Sequence, residues 1–169
     1  MTAKGHILLA VTPALYIAKS LDNVYLAGFI AGVFIGSILP DIDEPNSFIG
    51  KRLGFLSIPL RIMGLKHRTF THYFIFGFIF FILSFLFDGI ISIAILGVSF
   101  GVFMHDVGDM ITKGGITGFL YPCCKNKTFR LLPKDYCFYT NSIIEHIIIF
   151  LLLSLLIIEL GVYFGIFNL

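Results

Sequence analysis

The chain has 169 residues, of which 57% are hydrophobic, 20 are Phe and only 13% are charged. One small soluble core cannot hide that much apolar surface, so a water-soluble domain is excluded and a membrane-embedded one is expected. The net charge of +2 is too small, and its basic residues too scattered, to mark a nucleic-acid-binding protein.

Five apolar stretches are predicted to be helices, over residues 6–19, 24–39, 72–87, 90–112 and 142–167. The first opens at His6 and carries Pro13; without a small-x-small cleavage pattern behind it, it is expected to remain in the chain as a helix rather than leave as a signal peptide. Ser20-Leu21-Asp22-Asn23 supplies the turn into the second. The second and third stretches span only about 24 Å, so they need a thin bilayer or burial among neighbours. Between the third and fourth, Asp88-Gly89 is expected to break what would otherwise be a helix of about 48 Å, far longer than a hydrocarbon core of about 30 Å. Asp bonds its own backbone and Gly accepts positive φ, which suits that turn. Asn141 or Ser142 caps the fifth helix, with Glu145 in its first turn.

Antiparallel crossings by these five helices put the N-terminus, loop 40–71 and loop 113–141 on one side of the bilayer. Eleven of the twelve lysines and arginines, at positions 4, 51, 52, 61, 66, 68, 113, 125, 127, 130 and 134, lie on that side, and only Lys19 lies near the other. By the positive-inside rule the crowded side is the cytoplasm and the C-terminus lies outside. Cys123, Cys124 and Cys137 fall in the same cytoplasmic loop without a CxxC spacing and read as ordinary reduced loop residues.

The chemistry-bearing residues share this side. His105 and Asp109 are four apart, one helical turn, and so point to one face, whereas Asp106 points elsewhere. Charged groups beside lipid are costly unless paired or coordinated, which makes this stretch hard to explain as filler. Pro40-Asp41-Ile42-Asp43-Glu44 closes the second helix; in an extended segment Asp41 and Asp43 would face the same way. Lys66-His67-Arg68-Thr69-Phe70-Thr71-His72 opens the third, and the planar fork of Arg68 suits a phosphate or carboxylate. His6 and Glu145 sit at the same membrane level. The candidate metal ligands are therefore His6, Asp41, Asp43, His67, His72, His105, Asp109 and Glu145, gathered from distant parts of the sequence.

The order His6, Pro40-Asp41-x-Asp43, His67-Arg68-x-x-Thr71-His72, His105-x-x-x-Asp109-x-x-Thr112-x-x-Gly115, Pro122, Glu145 resembles the YdjM-type inner-membrane proteins across nearly the whole chain. The resemblance implies a LexA-regulated, membrane-bound, metal-dependent hydrolase. A remoter likeness is to the all-helical zinc-dependent phospholipase C fold, in which a His-x-x-x-Asp helix joins scattered ligands around several metals and cleaves phosphoesters. Where that pattern has a His-x-x-x-Glu pair, this chain has Asn141 ahead of Glu145, which implies fewer ions.

The expectation is an all-α integral membrane protein, a single domain of about five helices with a metal site at its cytoplasmic end. Imidazole and carboxylate ligands suit one or two zinc ions best and accept manganese or iron. Such ions activate water and stabilise a leaving oxygen, so the expected activity is phosphoester hydrolysis of a phosphorylated small molecule or a lipid. Asp43 or Glu145 is expected to serve as ligand or general base, and Arg68 to steady the substrate anion. The competing readings use the same cluster for metal or proton transport, or as a structural metal site. Transport places such groups near the bilayer midplane, whereas these gather at one face.

Overall fold

The computed structural model describes residues 1–62, 68 and 70–167. Its helices are α1 (Ala3–Ala18), α2 (Asn23–Ile38), α3 (Gly54–Ile62), α4 (Phe74–Ser84), α5 (Gly89–Met110) and α6 (Ile143–Tyr163). Short 3₁₀ turns lie at Leu39–Asp43, Phe70–His72 and Lys134–Tyr136. Strands β1 (Ile116–Thr117) and β2 (Thr128–Phe129) pair antiparallel in the loop before α6. The protein is an all-α membrane protein. Three segments are long and apolar enough to cross a bilayer: α2 with its following turn (Asn23–Asp43), α5 and α6.

Helix α4 is shorter than its apolar stretch suggests, because Phe85 to Asp88 turn the chain back before Gly89, whose φ is +61°. Its 11 residues rise only about 16 Å, so α4 packs against α5 and does not by itself match the thickness of a bilayer. Ser92 Oγ donates to Ser84 O (2.7 Å) across this hairpin, and Ser99 Oγ to Gly77 O (2.9 Å) deeper in the α4–α5 interface.

The α2–α5 interface is the closest in the protein. Gly32 and Gly36 on α2 lie directly against the backbone at Ala94 and Val98, while Gly97 and Gly101 on α5 lie against Phe29 and Val33. Spacing each pair by four residues keeps both glycines on one helical face, so the two backbones meet with no side chain between them. Helix α1 seats Ala10, Ala14 and Ala18, also four apart, against Leu26, Phe29 and Val33. Helix α6 is different. Only 6% of its span is buried within the protein, and Phe150, Leu151 and Ile157 face outward as lipid-contacting residues do.

Loop 40–71 contains a helix that the sequence reading did not anticipate. α3 carries Pro59 and is only nine residues long, too few turns for its periodicity to stand out. Phe55, Ile58 and Ile62 form an exposed apolar row, while Ser57 on the opposite face is buried and donates to Gly50 O (3.0 Å).

Candidate metal centre

The close approach of α2 and α5 sets the centre of the cluster. Beside the Gly36–Gly101 contact, the Ser37 carbonyl lies 2.7 Å from His105 Nδ1. A carbonyl can only accept, so Nδ1 carries the proton and His105 Nε2 is left with a lone pair. The second imidazole is prepared from the other side. Thr71 Oγ1 donates to Asp43 Oδ2 (2.9 Å) and lies 3.1 Å from His72 Nδ1, from which it accepts. His72 Nε2 is thereby also a lone-pair nitrogen, and it faces His105 Nε2 at 3.3 Å.

Two carboxylates close the arrangement. Asp41 Oδ1 is 3.6 Å from His105 Nε2 and 4.0 Å from His72 Nε2. Asp109 Oδ2 is 3.9 Å and 3.6 Å from the same two nitrogens. Ligand atoms of a tetrahedral zinc site, with bonds of about 2.0–2.1 Å, stand about 3.3–3.4 Å apart. The observed spacings sit at or somewhat above that separation, and facing lone pairs and carboxylates repel unless a cation lies among them. Asp109 Oδ2 is buried with no hydrogen-bond partner among the described residues, and the donor set fits a divalent metal.

His6 belongs to a neighbouring position. Its ring stacks on that of His105, centroids 3.7 Å apart and planes within 8°, and its Nε2 is 3.4 Å from Asp109 Oδ1. Both ring nitrogens are buried without a hydrogen bond among the described residues. His6, His105 and Asp109 form one candidate ligand group; Asp41, His72 and His105 form the other. With Nδ1 committed to Ser37, His105 offers a single nitrogen, so it can serve only one ion. Asp109 offers an oxygen to each position, but its Oδ1 already meets the Met1 amine at 2.6 Å and Arg68 Nη2 at 2.8 Å. Positive charge therefore already stands beside the His6 position.

Arg68 reads differently in space than in sequence. With φ of +62° it turns its side chain back into the protein, where Nη2 holds Asp109 and Nη1 donates to the Gly115 carbonyl at 3.2 Å. Arg68 also lines a cavity of about 520 Å³ with Asp41, Glu44, Asn46, Ser47 and Thr140. Asp41, 17% exposed, is the one carboxylate of the set that reaches this cavity; His72, His105 and Asp109 are essentially buried.

Two expected ligands stand apart. Asp43 lies behind His72, with its Oδ2 3.8 Å from Nδ1, rather than beside Asp41. The backbone of Leu39–Asp43 is a 3₁₀ turn, not extended, and residues two apart on such a turn diverge. Asp43 thus reaches the His72 ring from behind, through Thr71. Asp43→Asn is expected to weaken divalent-metal affinity about 10–100-fold with the helical fold intact, measured by metal titration of the stripped protein. Glu145 accepts from Thr2 N (2.6 Å), Thr2 Oγ1 (2.8 Å) and Asn141 N (2.6 Å), and belongs to neither ligand group. It joins the start of α1 to the start of α6. Glu145→Leu is expected to lose about 1–3 kcal/mol of stability in thermal unfolding while bound metal is unchanged; loss of metal from a normally stable variant would instead make Glu145 a ligand.

His67 lies outside the described residues. Cys123, Cys124 and Cys137 are free thiols in the loop before α6, and none joins a ligand group among the described residues. Sequence reasoning missed one feature here and read a second, Asp106, only as pointing away from the face of His105 and Asp109. The Ser37 carbonyl has no sequence signal, since any residue could supply it. Asp106 is 1% exposed with both oxygens unpartnered among the described residues, one residue from His105.

The model of the YdjM inner membrane protein family matches residues 1–166. The chain is 34% identical over 133 residues to the inner membrane protein YdjM of Escherichia coli (strain K12) and, to the same extent, to that of Shigella flexneri. Each match covers 73% of this chain and 66% of the relative, so the chain spans just under two thirds of those proteins. No solved structure matches.

Proposed function

Because this chain belongs to the YdjM family of inner membrane proteins, we propose, from the geometry of its buried cluster, that it is a membrane-bound metal-dependent hydrolase of phosphoesters. The observation that carries the reading is the facing pair of imidazole nitrogens, 3.3 Å apart, flanked by Asp41 and Asp109 at the wall of a cavity. His72, His105, Asp41 and Asp109 would hold one divalent cation, with zinc the best fit to that donor set and manganese or iron also accommodated. The neighbouring position at His6 and Asp109 Oδ1 already has the Met1 amine and Arg68 beside it, so one ion per chain is the expected load. Bound at the first position, the cation supplies positive charge that acidifies water and neutralises a developing negative oxygen.

The chain's own residues do the rest. Asp43, through Thr71, and the Ser37 carbonyl hold the two imidazoles in the tautomers that turn their Nε2 lone pairs towards each other. Arg68 anchors Asp109 and is also a residue of the cavity wall, from which it would steady a phosphoryl oxygen. Bulk water is kept from three of the four ligands by burial, which strengthens every charge interaction among them. In the net reaction a water oxygen bonds to phosphorus, the ester P–O bond breaks, and the water's proton ends on the leaving oxygen. We infer that this end of the bundle faces the cytoplasm, a reading that the lysine and arginine bias of the sequence supports.

The test is turnover. Detergent-purified protein should hydrolyse a phosphomonoester or phosphodiester such as p-nitrophenyl phosphate or its bis ester, lose that activity to a chelator and regain it on adding zinc or manganese. Turnover insensitive to chelation, or metal-loaded protein inert towards both substrates and towards phospholipid, would remove the proposal.

A further inference from the structure

A second cavity, about 470 Å³, lies between the first turns of α1 and α6. Its lining includes Lys4 and Ile7 from α1, His146 and Ile149 from α6, and Phe48 from loop 40–71. Both helices begin at the cluster end and run away from it, joined there through Glu145 and Thr2. One turn along each replaces a basic side chain with an apolar one, Lys4 by Ile7 and His146 by Ile149. His146 Nδ1 donates to Ser142 O (2.8 Å), which leaves its Nε2 for another partner. The groove is therefore basic at the level of the helix starts and apolar one turn deeper, the polarity order of an anionic lipid in a leaflet.

This groove is the neighbour of the cavity at the metal cluster. Its rim carries Thr2, Phe48 and Asn141, while the cluster cavity carries Met1, Ser47 and Thr140, so one thin wall of three adjacent pairs separates the two. Phe48 is 44% exposed and is held by Arg52, whose guanidinium lies 3.8 Å from the ring centroid and donates to the Phe48 carbonyl. An aromatic ring and a guanidinium in contact are at home in the headgroup layer.

We propose that the substrate of this site is a membrane lipid bearing a phosphoester, which reaches the cluster from the bilayer rather than from water. Its acyl chain lies in the groove between α1 and α6 against Ile7, Ile149 and Phe48. Lys4, joined by His146 when its ring carries both protons, attracts its phosphate, and the headgroup crosses the rim into the cavity at Asp41 and Arg68. The proposal rests on the hydrolase reading for what happens next, but lipid binding itself does not require turnover.

The experiment therefore reads binding and turnover separately. Wild-type protein in detergent is titrated with dioleoyl phosphatidic acid and with its dihexanoyl analogue, counting bound lipid by native mass spectrometry, and the same samples are assayed on p-nitrophenyl phosphate. The expected result is at least tenfold tighter binding of the long-chain lipid. Ile149→Trp, which fills the groove, and the surface change Lys4→Glu should each weaken it at least tenfold while p-nitrophenyl phosphate turnover stays unchanged. Equal binding of the two lipids by wild type, or wild-type lipid affinity in both variants, overturns the groove assignment. Lipid binding that the variants abolish, in a protein that hydrolyses nothing, would leave the assignment standing and remove the hydrolase reading instead.

Discussion

His105→Ala is expected to remove bound divalent metal from the purified protein and to lower phosphoesterase turnover by at least about a hundredfold, while the helical content stays near wild type. His105 is the one residue common to both candidate ligand groups, and the stacked His6 ring and the facing His72 ring both rest on it. The substitution leaves Asp41 and Asp109 without the nitrogen that lies 3.6 Å and 3.9 Å from them, so no other residue among those described can complete the set. His105→Gln is the companion variant, since it fills much of the same volume and separates loss of a ligand from loss of packing. Metal content and chelator-sensitive turnover, read on the same preparation, check both. Wild-type metal in His105→Ala would mean that the facing imidazoles are not ligands.

Gly101→Leu is expected to have the largest effect on folding. A side chain at position 101 would overlap the backbone of Val33, Gly36 and Ser37, so α2 and α5 cannot keep their approach. In a bilayer, lipid tails are as apolar as a leucine, and helices associate by close backbone packing rather than by hiding apolar surface. Losing that packing costs several kcal/mol, in the range of an overpacked core or more. The consequence reaches the metal centre, because the same approach brings the Ser37 carbonyl to His105 Nδ1. Gly101→Ala should show a graded version, with a lower melting temperature and weaker metal binding together. If thermal unfolding in detergent shows Gly101→Leu as stable as wild type, the helix contact is not what positions His105.

Much of this arrangement is legible in the sequence, and the reasons are specific. The His105-x-x-x-Asp109 spacing places both groups on one helical face, and the structure has both Nε2 and Oδ2 in one cluster. The Asp88-Gly89 turn follows from chain length against bilayer thickness, and Gly89 indeed takes positive φ. Alternating apolar stretches bring His6, Asp41, His72 and His105 to one end of the bundle because each lies at the corresponding end of its own stretch.

What the sequence misassigns depends on local backbone geometry. An extended segment would have aimed Asp41 and Asp43 together, but a 3₁₀ turn sends one to each side of the His72 ring. Glu145 could cap or coordinate from the same position, and three donors meet its oxygens in the structure. Arg68 faces inward because its backbone is left-handed, a state that an arginine in a sequence does not announce. Helix α3 is too short, with Pro59 inside it, to signal itself. The glycine pairs at 32 and 36 and at 97 and 101 carry a readable spacing, but which helix each faces emerges only from packing.

Elemental analysis of the detergent-purified protein, without added metal, bears most directly on the cluster. The account predicts a divalent transition metal, zinc foremost, at about one ion per chain, lost on His72→Ala and on His105→Ala and retained in Glu145→Leu. Protein that is folded and active with no bound metal, or metal that survives both histidine substitutions, would contradict it.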